Sequence, residues 1–129
     1  MLKALIFDLD GTLIGTNKIH IKAFQKAFFK NFKLSLKPSE ITPFFGESAF
    51  DISSRILKKH NVSAGKKKIN ACVKENIELF GKAIKGKRLM KKQTFKFLKK
   101  LKKQGFKLAI ASGTERKMLN ASLKPEEKK

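Results

Sequence analysis

The chain has 129 residues, with 31 Lys plus Arg against 10 Asp plus Glu and a formal net charge of +21. At 41% hydrophobic residues it can bury a core, yet it holds no apolar run long enough to span a membrane, and its single cysteine rules out an internal disulfide. No secretory signal precedes the first apolar run, so a cytoplasmic location is expected, with Cys72 as a reduced core residue.

The first element is Ala4-Leu5-Ile6-Phe7, an apolar run without polar alternation. This pattern predicts a buried parallel strand, and loops at the carboxyl ends of such strands are where open α/β sheets bind ligands. Asp8-Leu9-Asp10-Gly11-Thr12 follows directly, which places Asp8 and Asp10 at that edge. Two aspartates flanking one residue can divide the work of phosphoryl transfer, one attacking phosphorus and the other handling the proton. Gly11 permits a tight turn close to an anion, and magnesium, which takes one or two carboxylates with substrate oxygens and water, suits Asp8 and the surroundings of Asp10. A calcium loop of the D-x-D-x-D-G type is excluded, because Gly11 and Thr12 stand where it needs a spacer and a third oxygen ligand, and Ile19 stands where it needs glutamate. A plain surface turn remains open on these residues alone.

From residue 16 to residue 84 the apolar spacing is helical. Thr16 is the expected N-cap of a helix from Asn17 to about Phe32, with Ile19, Ala23, Phe24, Ala27, Phe28 and Phe32 on one broad face widened by Phe29. His20, near the start of that helix, reads as a packed or exposed bystander outside the catalytic set. Pro38-Ser39 opens a short helical turn that ends near Gly46. Ser48 caps a longer helix carrying Phe50, Ile52, Ile56 and Leu57, which Asn61 terminates. Ser63 is the expected start of a third helix with Ile69, Cys72, Val73, Ile77 and Phe80, and the polar stretch Lys85-Gly86-Lys87-Arg88 marks a domain boundary.

A further helix is expected from Leu89 to Gln104, with Met90, Phe97, Leu98 and Leu101 inward and Gly105 as its left-handed C-cap. It leads into Phe106-Lys107-Leu108-Ala109-Ile110-Ala111, a second buried strand, which ends in Ser112-Gly113-Thr114. A hydroxyl and a loop amide there suit oxyanion stabilisation, although Ser-Gly-Thr after a strand is also an ordinary helix start with Thr114 as N-cap. Strand, helices and strand make a right-handed crossover that brings both strand ends to one edge of the sheet. A short helix over Glu115 to Leu123 and a charged tail complete the chain.

Phe7-Asp8-Leu9-Asp10-Gly11-Thr12-Leu13 resembles the first signature of the haloacid dehalogenase-like hydrolase superfamily, and the segment from Phe106 to Thr114 resembles the second. The resemblance implies an α/β fold: a partial Rossmann-like parallel sheet formed by residues 1–15 and 85–129, with residues 16–84 as an inserted all-helical cap. It implies Asp8 as the nucleophile that forms an aspartyl-phosphate, and Asp10 as the acid that protonates the leaving group and later activates water. Ser112 and Gly113 would bind the transferring phosphoryl group, Asp8 and Asp10 would hold Mg2+, and the substrate would be a small phosphate monoester. Aspartate at the second position favours phosphatases and phosphomutases over transport ATPases and dehalogenases. His20-Ile21-Lys22-Ala23-Phe24 followed by Phe45-Gly46 is similar to the cap helices of the phosphoglycolate phosphatase and β-phosphoglucomutase branch. The arginine that phosphoglucomutases place just after the glycine is missing from Glu47-Ser48-Ala49-Phe50, which argues against mutase activity.

A complete domain of this superfamily continues well beyond the second signature, whereas here seventeen residues follow Ser112. The carboxylates among them, Glu115, Glu126 and Glu127, end no apolar strand, and Lys124-Pro125-Glu126 falls too early for the family's lysine signature. A truncated phosphatase is therefore expected, weak in magnesium binding and turnover, with an open sheet edge that a homo-oligomer or a complementing chain would cover. The charge supplies the rival reading, a non-catalytic basic fragment that binds polyanions or nucleic acid. Against it, only Arg55, Arg88 and Arg116 among the basic residues are arginine, the lysines are spread along every helix, and Tyr and Trp are absent. A solvated lysine-rich surface accounts for the charge better.

Overall fold

The computed structural model describes residues 3–113 together with 116, 119, 120, 122 and 123. Strand β1, Ala4–Phe7, and strand β2, Lys107–Ile110, form a two-stranded parallel sheet in which Leu5 pairs with Leu108 and Phe7 with Ile110. Backbone bonds bracket the ladder, from the Lys107 amide to the Lys3 carbonyl at 2.8 Å and from the Ala111 amide to the Phe7 carbonyl at 2.9 Å. Four α-helices lie between the two strands in the chain, and they carry the long connection that a parallel pair requires. The fold is thus mixed α/β, with a parallel pair and a large helical segment.

Helix α1, Asn17–Phe32, and helix α2, Ala49–Lys59, both pack on helix α3, Lys66–Ile84. Their apolar faces meet as the 3.6-residue spacing predicts. Phe24 and Phe28 of α1, Ile52, Ile56 and Leu57 of α2, and Ile69, Cys72 and Val73 of α3 form one buried cluster, closed by Leu36 and Ile41 from the connection between α1 and α2. That connection contains two single turns of 3-10 helix, Pro38–Glu40 and Thr42–Phe44. A second cluster of Leu9, Leu13, Ile14 and Met90 lies under the loop after β1, and a third of Ala23, Phe80 and Ile84 joins α1 to the end of α3.

Helix ends follow local chemistry. The Ser48 Oγ accepts the Asp51 amide at 3.1 Å and its hydroxyl donates to the Asp51 carboxylate at 2.7 Å. After α2, Asn61 adopts φ 56°, and the amides of Asn61 and Val62 return to the carbonyls of Lys58 and Leu57. After helix α4, Lys92–Lys103, Gly105 does the same at φ 88°, with its own amide and that of Phe106 on the carbonyls of Lys102 and Leu101. Both are paired 5→2 and 6→1 closures.

Several expectations need correction. The strands are not buried: one sheet face is half covered, through Leu5, Phe7 and Leu108, while the other is bare and leaves Ile6 72% exposed. The apolar run anticipates cover on both faces, which the described residues provide on one. Ser63 does not start α3, which begins at Lys66 with Gly65 at the N-cap position, because Val62 and Ala64 pack on the first cluster and hold the chain extended. α4 begins at Lys92 rather than Leu89, since Leu89 and Met90 are drawn into the clusters beneath it. Phe97 faces solvent at 53% exposure, and Phe95 and Leu98 supply the inward face. Of the helix expected over 115–123, the described residues are helical, and Thr114, Glu115 and the tail from Lys124 lie outside the described residues.

Candidate active site

The loop after β1 is organised by Leu9. Its side chain is fully buried in the second cluster, and its carbonyl accepts the amides of Thr12, Leu13 and Ile14 at 3.2, 2.9 and 3.2 Å. The Gly11 amide donates to the Ile14 carbonyl at 2.8 Å, and Gly11 sits at φ 79°, where a side chain would be strained. With Leu9 anchored inward, Asp8 and Asp10 on either side project to the mouth of the loop, Asp8 exposed and Asp10 half-buried.

Asp10 is held by two groups from the start of α1. The Thr16 hydroxyl donates to Asp10 Oδ1, and His20 Nε2 lies 3.0 Å from the same oxygen. A hydrogen bond from the ring to a carboxylate requires the proton on Nε2. Thr16 occupies the N-cap position of α1 as expected, but its side chain makes no cap bond, because a charge-assisted bond to a carboxylate outcompetes one to a backbone amide. His20 is corrected as well. It is buried, with its ring stacked on Phe80 at a centroid distance of 4.2 Å and an interplanar angle of 14°, and edge-on to Phe45 at 6.3 Å. The aromatic neighbours fix the imidazole plane and the hydrogen bond fixes its tilt. The sequence does offer a signal for both residues, since Thr16 and His20 are four apart and so share one face at the start of a helix whose N-cap stands six residues after Asp10.

The loop after β2 meets the same place. Gly113 lies against the backbone of Gly46 so closely that a Cβ on it would come within 2.3 Å of the Gly46 carbonyl oxygen. Gly46 itself has φ 104°. Asp8, Asp10, Ser112 and Gly113 therefore line one cavity of about 180 Å³, together with His20 and Asn17, and with Phe45, Glu47 and Asn76 from the helical segment. This is small against the roughly 300–1,000 Å³ of drug-sized pockets. The Glu47 carboxylate accepts a bond from Arg55 Nε at 2.7 Å. Asn76 escaped the sequence reading, although as a polar residue in the apolar stripe Ile69, Cys72, Val73 and Phe80 it breaks the pattern.

As a cation site the arrangement offers two carboxylates, and among the described residues no cluster of three or more His, Cys, Asp or Glu side chains occurs. Magnesium commonly takes one or two carboxylates, with water and substrate oxygens filling the remaining places, so Asp8 and Asp10 fit that donor set. No helix among the described residues is long and apolar enough to cross a membrane.

Comparison with known proteins identifies the family. The chain is 32% identical over 127 residues to the PpaX protein of Clostridium perfringens and 28% identical over 123 residues to the pyrophosphatase PpaX of Bacillus mycoides. These alignments cover 96% and 95% of the chain and 54% of each relative, so the chain spans about half their length. The crystal structure of β-phosphoglucomutase from Clostridium difficile superposes with a TM-score of 0.84 at 22% identity, over 96% of this chain and 56% of that one. A family model described as haloacid dehalogenase-like hydrolase matches residues 5–128. With almost the whole chain matched, and with two strand ends, a helical segment and an aspartate-rich loop converging on one cavity, the protein belongs to the haloacid dehalogenase-like hydrolase family.

Proposed function

We propose that the chain carries the catalytic loop and cap of a magnesium-dependent phosphatase that hydrolyses small phosphate monoesters through an aspartyl-phosphate. The observation that carries this reading is the meeting of Asp8, Asp10, Ser112 and Gly113 around one small cavity. In this reading residues 1–15 and 85–129 supply the chemistry and residues 16–84 cover it.

An Asp8 carboxylate oxygen attacks phosphorus, and the bond from phosphorus to the ester oxygen breaks as Asp10 gives that oxygen its proton. Water then returns a proton to Asp10 as it attacks the phosphoryl group, which frees Asp8 and inorganic phosphate. Thr16 and His20, both on Oδ1, hold the Asp10 carboxyl in one orientation through this cycle. The Ser112 hydroxyl and the Gly113 amide face the phosphoryl oxygens, where donors already in place stabilise the charge that develops. Asp8 and Asp10 would hold Mg2+, whose charge, when bound, offsets that of the phosphoryl group.

The test is magnesium-dependent binding of inorganic phosphate and hydrolysis of p-nitrophenyl phosphate and a monoester panel, with Asp8→Asn as the control for contaminating phosphatase. The expected result is phosphate binding that requires magnesium, with slow turnover abolished in Asp8→Asn. A folded chain that neither binds phosphate nor turns over, or one whose turnover survives in Asp8→Asn, refutes the proposal.

A further inference from the structure

The bare face of the sheet has a definite composition. The register pairs Ala4 with Lys107 and Ile6 with Ala109, and because side chains alternate along a strand these four share one face. All four are exposed, Ile6 at 72%. Ile6 therefore stands as one large apolar side chain beside two alanines, a shallow surface that a packed element can approach closely. Asp8, one residue past β1, continues the alternation on the same side and is exposed too. The face thus runs from the apolar sheet up to the carboxylate at the mouth of the site.

Parallel sheets carry cover on both faces, and two strands alone do not make an independently stable sheet. Here the described residues cover only the side of Leu5, Phe7 and Leu108. Length indicates what covers the other. The chain matches 54% of each PpaX relative, so the fold of those proteins has a further half with no counterpart in these 129 residues. A second copy of this chain fits poorly. Each copy carries a net charge of +21, and two bare faces brought together would hold their Lys107 side chains in one apolar contact.

We infer that the face of Ala4, Ile6 and Ala109 is the docking surface for a polypeptide equivalent to the relatives' unmatched half. That polypeptide seats an amphipathic helix on Ile6, with an acidic residue near Lys107, and stands beside Asp8 as a further wall of the site. The inference does not depend on the phosphatase reading, since it concerns only what covers the sheet.

The full chain would be mixed with a separately produced polypeptide comprising the part of the Clostridium perfringens PpaX protein that the chain does not match, and in parallel with the corresponding part of the Bacillus mycoides relative. Association would be followed by sedimentation and by the NMR signals of the Ile6 methyl and the Asp8 amide. The expected result is a chain that is monomeric alone and forms a one-to-one complex with at least one of these polypeptides, with both signals shifting. Ile6 is exposed, so Ile6→Lys should leave the urea midpoint of the chain alone unchanged. The same variant is expected to weaken the complex about tenfold or more, because it puts a charge into an apolar contact. Phe29→Lys, also at an exposed position but on α1, is expected to leave the complex unchanged. The inference falls if neither polypeptide binds, if Ile6→Lys binds as tightly as the native sequence, or if both signals stay in place. It falls as well if the chain alone forms a dimer that Ile6→Lys disperses, a result that would assign the face to a second copy.

Discussion

Replacing Phe80 with alanine tests the link between cap packing and the acid-base group. Phe80 is 0% exposed, packs with Ala23 and Ile84, and stacks flat on the His20 ring. A buried Phe→Ala change costs about 3–5 kcal/mol, of which aromatic stacking accounts for roughly 0.5–1.5 kcal/mol beyond area burial. Whole domains are stable by only about 5–15 kcal/mol, so the variant should unfold at markedly lower urea, as followed by helical circular dichroism. Phe28→Ala is the matched control: it is equally buried and has a similar expected cost, but it lies in the first cluster. Phe29→Ala, half exposed, should cost no more than about 0.5 kcal/mol. The distinguishing signal is the His20 imidazole proton resonance, which loses the ring current of Phe80 in Phe80→Ala and keeps it in Phe28→Ala. A Phe80→Ala loss below about 1.5 kcal/mol, well short of the usual core range, would refute the packing argument. Equal displacement of the His20 resonance in both variants would refute the coupling.

Gly113→Ala places a methyl 2.3 Å from the Gly46 carbonyl oxygen, a backbone atom that can move only with its loop. It should cost about 1–3 kcal/mol and lower phosphate affinity, as measured by urea unfolding and titration, whereas a variant as stable and as tight as the parent would contradict the close approach. Burial first, and then Glu75, pushes the Cys72 thiol from an ordinary 9.0 up to about 12. Because the unfolded thiol ionises first, native stability should be level below about pH 9 and fall as pH rises towards 12, a slope that Cys72→Ala removes. Urea midpoints of the two proteins that run parallel between pH 8 and 10.5 would count against this.

Helix positions were readable because burial repeats every three to four residues, and the stops at Asn61 and Gly105 were readable because few residues accept a left-handed backbone. The alternation Asp8-Leu9-Asp10 likewise pointed to a mouth with two carboxylates. What was hidden depends on tertiary partners. Thr16 carries an ordinary capping signature, and only the arrival of Asp10 diverts its hydroxyl. His20 looks the same in sequence whether it packs idly or touches a carboxylate. Asn76 sits in an apolar stripe whose period does not reveal that one position opens on a cavity. The exposure of Ile6 and Phe97 was illegible for a related reason: a side chain encodes a demand for cover, and cover depends on what else packs there.

The buried Leu9 between two aspartates also makes the loop self-registering during folding. A slip of one residue along the strand would drive Asp8 or Asp10 into the niche lined by Leu13, Ile14 and Met90 and expel Leu9 to water. Burying an unpaired carboxylate there is far more costly than any alternative pairing gains, so misaligned forms of this segment are short-lived before the rest of the chain condenses around it. The charges that equip the mouth for chemistry thus also proofread its alignment.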